Sequence, residues 1–434
     1  MATRGLVIAA PGSGAGKTTV TLALLRALSR AGRDVAGAKL GPDYIDPGFH
    51  RAACGQVSVN LDAWAMDPPS LAARAAAAPG RVLIVEAAMG ALDGAGRSGQ
   101  GAAADLAQAL DLPLILVLDA ARQGGSVALA PAGLRALRPG LRIAGVILNR
   151  LGSGRHADLA AGALERAGFA VLGRLPRQPD LTLPDRHLGL IPAPELSDLE
   201  ALLDGAAEWL SAHADPDAIL AAARPLPPAP HAPRRLPPPG SRIAVAQDAA
   251  FAFAYPHLME DWRAQGASLH PFSPLADAPP DPAADAIFLP GGYPELHAGT
   301  LAAAGRFHAG MTAAAARGAT IYGECGGYMT LGTGLVDATG ARHAMLGLLP
   351  VETSFADRRL HLGYRYLMPL AGAPWTAPLK GHEFHYAAIL DESAGHQRLF
   401  RAEDADGTAL GEIGLRDGRV SGSFAHVIAP EEPR

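Results

Sequence analysis

Residues 5–19 read Gly5-Leu6-Val7-Ile8-Ala9-Ala10-Pro11-Gly12-Ser13-Gly14-Ala15-Gly16-Lys17-Thr18-Thr19. A short apolar run enters a turn with three glycines. The turn opens into Lys17–Ala31, where Leu22, Leu24, Leu25 and Leu28 recur at helical spacing. This order predicts a buried strand, a tight loop and a helix. Glycines let the backbone curl until successive N–H groups converge on an anion, and the helix N-terminus adds partial positive charge. Lys17 would then reach the β- and γ-phosphates of a nucleotide, and the Thr18 hydroxyl would serve Mg²⁺. Gly12, Ser13, Gly14, Ala15, Gly16, Lys17, Thr18 and Thr19 are therefore the candidate nucleotide-binding loop. Pro11 departs from the usual pattern, which begins with glycine.

Working outward, Val35–Leu40, Val82–Glu86, Leu114–Asp119 and Ile143–Asn149 read as further buried strands separated by helical segments. Such alternation predicts an α/β fold with a parallel sheet covered by helices. Open parallel sheets bind ligands at the C-terminal ends of their strands. Glu86 at one such end is a candidate for the Mg²⁺ shell. Asn149 is a candidate reader of the nucleotide base, and Asp119 reads as a cap. Lys39 ends the second strand and is followed by Gly41-Pro42-Asp43-Tyr44-Ile45-Asp46-Pro47. A lysine beside two carboxylates next to a phosphate loop suggests a phosphoryl-acceptor site, with Asp43 as a further metal candidate.

Residues 224–240 contain eight prolines in seventeen positions. Proline donates no N–H and fixes φ, so the stretch reads as an extended, semi-rigid linker. It separates an N-terminal domain (1–223) from a C-terminal one (241–434), where strands Arg242–Gln247, Ala286–Leu289 and Thr320–Gly323 restart the α/β pattern. The last of these runs into Gly323-Glu324-Cys325-Gly326-Gly327. This is a cysteine version of the sharp turn that exposes a nucleophile. The Gly326 N–H would stabilise an oxyanion, and the glycine pair Gly291-Gly292 after the preceding strand would supply a second donor at Gly292. His426, about a hundred residues downstream, is the candidate base for the Cys325 thiol.

Composition narrows the rest. The formal charge of −5 argues against a nucleic-acid binder held by a global positive field. Cys54 and Cys325 are the two cysteines, too few for a disulfide framework. No apolar run reaches the ~18–20 residues that span a bilayer. The expectation is a soluble, cytoplasmic protein. Lysine occurs three times, at Lys17, Lys39 and Lys380, against 34 arginines. Two of the three fall at the proposed phosphate site, where a compact ammonium suits better than a planar guanidinium.

PGSGAGKTT, KLGPDYIDPGFH, GECGGYM and GHEFHY with SFAH together resemble the cobyrinic/hydrogenobyrinic acid a,c-diamide synthases of cobalamin biosynthesis, over nearly the whole chain. The resemblance implies a dethiobiotin-synthetase-like P-loop domain and a class I glutamine amidotransferase domain of the cobyric type. It implies ATP, Mg²⁺ and glutamine, and amidation of two acetate carboxylates of a corrin. The expected partner is a tetrapyrrole polycarboxylate rather than nucleic acid or membrane, with a homodimer as the assembly to look for. Lys39, Asp43, Tyr44, Ile45 and Asp46 match the stretch expected to face the acceptor. Arg358, Arg359 and Arg365 are candidates for holding other carboxylates of the ring. Many class I amidotransferases carry an acid two residues after the histidine, a rule from which the cobyric-type subgroup departs. Here that position is Ile428, so a Cys–His pair is expected, with Glu383 as a candidate orienting acid. Ala87 stands where relatives often have glycine. The competing readings are amidation of another tetrapyrrole such as nickel-sirohydrochlorin, cobyric acid synthesis (against which GPDYIDP argues), and a P-loop switch ATPase with a non-catalytic glutaminase-like domain.

Overall fold

Leu6, Val7, Ile8 and Ala9 have no solvent exposure in the structure, a computed structural model that describes residues 3–186, 189–392 and 395–431. They form β1 (Arg4–Ala9), the central strand expected from an apolar run covered on both faces. With β2 (Val35–Leu40), β3 (Val59–Leu61), β4 (Val82–Glu86), β5 (Leu114–Asp119), β6 (Ile143–Leu151) and β7 (Val171–Pro176) it builds a parallel sheet in the order β3-β2-β4-β1-β5-β6-β7. Helix α1 (Lys17–Arg30) starts immediately after Gly16, whose φ of 95° is the left-handed conformation that glycine adopts without steric cost. It packs between the sheet and the helix Leu199–His213, to which Arg26 is tied through Glu200 (2.6 Å) and Asp204 (2.7 Å). A short hairpin, β8 (Asp185–Arg186) and β9 (Gly189–Leu190), stands apart from the sheet.

The chain divides into two compact units, Met1–Pro233 and Arg234–Arg434. The proline-rich stretch is not linker throughout. Arg224–Pro225 is a two-residue strand, β10, paired antiparallel with Arg4 and Gly5. The pairing is available because β5 begins to bond β1 only at Val7, leaving the start of that strand open on one side. Further on, Leu236 is buried, and the Pro237 carbonyl accepts the Trp375 indole N–H at 2.9 Å.

In the second unit β11 (Arg242–Ala246), β12 (Ser268–Phe272), β13 (Ala286–Leu289) and β14 (Thr320–Glu324) are parallel. A small sheet contains β15 (Gly334–Val336), β16 (Arg342–Ala344), β17 (Val351–Ser354) and β20 (Ala388–Glu392). The main sheet continues through β18 (His361–Pro369), β19 (Leu379–His385), β21 (Gln397–Asp404), β22 (Ala409–Asp417), β23 (Val420–Ser423) and β24 (His426–Pro430). Its order is β12-β11-β13-β14-β23-β22-β21-β18-β19-β24. β23 lies parallel to β14, and the antiparallel half follows from there. This arrangement brings the C-terminal strands back to the end of β14. Among the described residues no helix is long and apolar enough to cross a membrane.

Candidate active site

Gly12 to Thr19 form the loop and first helical turn after β1. The Lys17 ammonium folds back to donate to the Gly12 carbonyl at 3.1 Å. Burial holds its pKa below the usual lysine value, and the Lys39 charge adds to the effect. The Thr18 hydroxyl donates to Glu86 Oε1 at 2.5 Å, so two of the three sequence candidates for the Mg²⁺ shell meet. A P-loop Mg²⁺ takes one or two protein ligands and completes its octahedron with phosphate oxygens and water. A hydroxyl and a carboxylate side by side fit that demand. They do so without a dedicated cage, and among the described residues no group of three or more His, Cys, Asp or Glu is arranged for a metal.

Asn149 is placed differently from its expected role. Its Nδ2 donates to the Ala15 carbonyl (2.9 Å) and its Oδ1 accepts from the Arg150 N–H (2.8 Å). One donor and one acceptor are thus used within the protein, and the residue clamps the loop. Beside it, at the ends of β5, β6 and β7, lies a cavity of about 440 Å³ lined by Ala121, Arg122, Arg150, His156, Pro176 and Arg177. Asp119 caps the turn after β5 through the Ala121 N–H.

Lys39 is almost fully buried at the end of β2. Its ammonium bonds Asp46, lies 3.0 Å from Glu86 Oε1, and is 3.7 Å from Asp43. Burial alone would lower its pKa; Asp46, Glu86 and Asp43 overcome that and raise it. Burial would likewise raise Glu86. Lys39, His50 and Thr18 instead hold its carboxyl far below the usual range. Burial and the Asp43 charge push Asp46 up. Asp43 itself organises the turn, accepting from the N–H groups of Ile45 and Asp46. That leaves Thr18 and Glu86 as the metal candidates joined at the loop. Ile45 is buried at the head of helix α2 (Asp46–Cys54), and Tyr44 is half-buried. His50 escaped the sequence reading. It is fully buried on α2, with Nε2 2.8 Å from Glu86 Oε2 and Nδ1 3.0 Å from Ser58 Oγ. A lone histidine on a helix carries no sequence signal of such a contact. Cys54 is a buried thiol donating to the His50 carbonyl at 3.2 Å.

In the second unit Cys325 sits between β14 and the helix Gly326–Leu331 at φ 47°, ψ −105°. That is left-handed territory, costly for a residue with a Cβ and typical of strained functional turns. Its thiol is buried. Burial and then the Glu295 charge push the thiol well above its usual pKa, so it needs a base. His426 begins β24. A methyl group placed on Gly291 would lie 2.4 Å from His426 Cε1, 3.0 Å from its Nε2 and 3.2 Å from Cys325 Cβ. Imidazole Nε2 and the nucleophile therefore converge on the same glycine. The two proposed oxyanion donors are also neighbours, since a Cβ on Gly326 would lie 3.0 Å from the Gly292 nitrogen.

Other expectations change. Glu383 does not orient His426. It lies 2.6 Å from Arg365 Nε and 3.7 Å from His385 Nε2, and its carboxyl is held at about 2: burial would raise it, but His385 and Arg365 overcome that. Arg365 is thereby committed to a partner inside the protein, while Arg358 and Arg359 are exposed. An acid that does face the imidazole is Glu324, with Oε2 3.6 Å from His426 Nδ1. Sequence reasoning looked two residues after the histidine, where Ile428 is buried and offers only its carbonyl, to His257. His382, beside His426 in the β19–β24 pairing, is pushed down to about 3 by burial and the neighbouring charges of His426 and Arg365. Lys380 pairs with Glu431 at 3.1 Å over the Tyr366 ring.

Residues 6–191 match the CobQ/CobB/MinD/ParA nucleotide binding domain, and residues 242–433 match the CobB/CobQ-like glutamine amidotransferase domain. Over 431 residues the chain is 56% identical to the hydrogenobyrinate a,c-diamide synthase of Brucella anthropi, covering 98% of each. The chain belongs to this family. The enzyme of the same description from Brucella abortus is 57% identical over 430 residues, 98% of each chain. That from Rhodobacter capsulatus is 52% identical over 433 residues, covering 98% of this chain and 99% of that one. The family assignment accounts for both halves at once: a nucleotide-binding α/β unit carrying the phosphate loop, and a glutamine amidotransferase unit carrying the cysteine elbow.

Proposed function

We propose that the chain is an ATP- and glutamine-dependent amidoligase that converts the a and c acetate carboxylates of hydrogenobyrinic acid, a metal-free corrin, into amides. The observation that carries this reading is the 56% identity, over 98% of both chains, to a synthase described by that reaction.

The residues divide the chemistry into two halves. In the amidotransferase unit His426 Nε2 takes the Cys325 proton and the sulfur adds to the glutamine side-chain carbonyl. The Gly292 and Gly326 N–H groups hold the oxyanion. His426 returns the proton as the C–N bond breaks, releasing ammonia, and water then cleaves the thioester to glutamate. In the nucleotide unit a carboxylate oxygen of the corrin attacks the γ-phosphorus of ATP, the bond to the β,γ-bridging oxygen breaks, and ADP leaves. Ammonia attacks the resulting carboxyl phosphate, and phosphate leaves. Lys17 and Lys39 neutralise charge around the transferred group, and Gly12 to Gly16 hold the phosphates by backbone N–H groups. Thr18 and Glu86 would hold Mg²⁺, which would supply further charge neutralisation there. The cavity beside Asn149 takes the nucleotide base, and Lys39, Asp43, Tyr44 and Asp46 face the acceptor.

Replacing Cys325 by Ala tests the division. Glutamine-dependent amidation is expected to disappear while amidation from ammonium salts remains. Retained glutamine-dependent turnover would remove Cys325 from the mechanism.

A further inference from the structure

The glutaminase half needs an imidazole held with Nε2 toward the thiol, yet the place where an orienting acid was sought carries Ile428. The structure shows what stands there instead. Glu324 is the last residue of β14, immediately before the nucleophile, and it is 2% exposed. Its Oε1 accepts the N–H of Val427 at 2.9 Å, and its Oε2 lies 3.6 Å from His426 Nδ1. One carboxylate thus grips the backbone next to the histidine and faces Nδ1, the ring nitrogen opposite Nε2, which shares the Gly291 surface with Cys325. The other ionisable groups around the ring are disposed otherwise. Glu383 is bonded to Arg365, His382 comes from the adjacent strand, Glu295 acts on the thiol as Glu324 itself does, and the Tyr322 hydroxyl also lies against the Glu324 carboxylate.

We propose that Glu324 is the positioning residue of the glutaminase, fixing the His426 ring and its tautomer from the residue preceding the nucleophile. The inference rests on the glutaminase reading of Cys325 and His426. With its proton on Nδ1 facing Glu324, the ring keeps a lone pair on Nε2 for the thiol proton, and the imidazolium formed in the step has a carboxylate beside it. The separation of 3.6 Å is long for a hydrogen bond. Catalytic hydrogen bonds in unliganded sites commonly tighten only when substrate binds.

Glu324→Gln keeps an oxygen for the Val427 N–H but turns an amide NH₂ toward Nδ1. That favours the tautomer whose Nε2 carries the proton and cannot accept another. In the full-length protein this variant is expected to lose about 10²-fold or more in kcat for glutamine hydrolysis. KM for glutamine should stay within about twofold, and amidation from ammonium salts should be unchanged. Glu324→Asp, which retains the charge, is expected to recover part of the lost kcat. Wild-type kcat in Glu324→Gln overturns the proposal, as does a change confined to KM. Loss of ammonium-dependent amidation in the same variant also overturns it, because Glu324 would then be a structural clamp. Cys325→Ala run in parallel separates the two levels: glutamine hydrolysis surviving in it defeats the glutaminase reading itself, whatever Glu324 does.

Discussion

Gly291→Ala probes the meeting of Cys325 and His426 with a single methyl group. The glycine follows β13 and is held by the Phe253 N–H on its carbonyl at 2.9 Å. Its φ lies outside the positive region, so alanine meets no backbone penalty and the effect is steric. The new Cβ would stand 2.4 Å from His426 Cε1, whereas ordinary contact begins at 3.4 Å. The ring must therefore retreat by about 1 Å, and it cannot do so freely, because Glu324 and the β19 pairing hold its strand. A misplacement of about 1 Å costs about 10²-fold in rate, or about 2.7 kcal/mol of transition-state stabilisation. The assay is glutamate release from glutamine, with ammonium-dependent amidation as the control for the other half. We expect the first to fall by about that factor and the second to stay at the wild-type level. Wild-type glutaminase activity in Gly291→Ala would refute the convergence of thiol and imidazole on this residue.

Two further outcomes test the remaining parts. Lys17→Ala should abolish amidation from both glutamine and ammonium while leaving glutamine hydrolysis by Cys325 measurable; retained amidation would separate the loop from phosphoryl transfer. Arg365→Met leaves Glu383 buried without its guanidinium and should lower stability at pH 7 by about 3 kcal/mol, read by urea unfolding. Because Glu383 is held at about 2, below its ordinary 4.5, its contribution is present above the ordinary value and is lost as pH falls toward the folded one. The gap between wild type and variant should therefore narrow on acidification. A gap that stays constant from pH 7 to pH 3 would contradict the pairing.

What was legible in the sequence is what the chain keeps contiguous. The phosphate loop and the cysteine elbow each occupy a few successive residues whose backbone demands can be read off glycine spacing, and β2, β4, β5 and β13 fall on the expected residues. Contacts made by the fold were not legible. Lys39 was singled out beside Asp43 and Asp46, but Glu86 and His50, which complete its surroundings, arrive from β4 and α2. Glu324 lay inside the quoted motif and was passed over, since spacing rules look for an orienting acid after the histidine. Only the parallel pairing of β14 with β23, which runs on to His426, brings it there. Arg365 and Lys380 found protein partners that no local pattern announces.

One glutaminase site serves one twofold amidation. The most direct measurement of this pairing is mass spectrometry of hydrogenobyrinic acid incubated with the protein, ATP, Mg²⁺ and glutamine carrying ¹⁵N in its side-chain amide. The expected product carries two amide groups, both labelled, with no further amidation on longer incubation. An unchanged corrin, a product with one or four amides, or amide nitrogen that does not come from glutamine would contradict it.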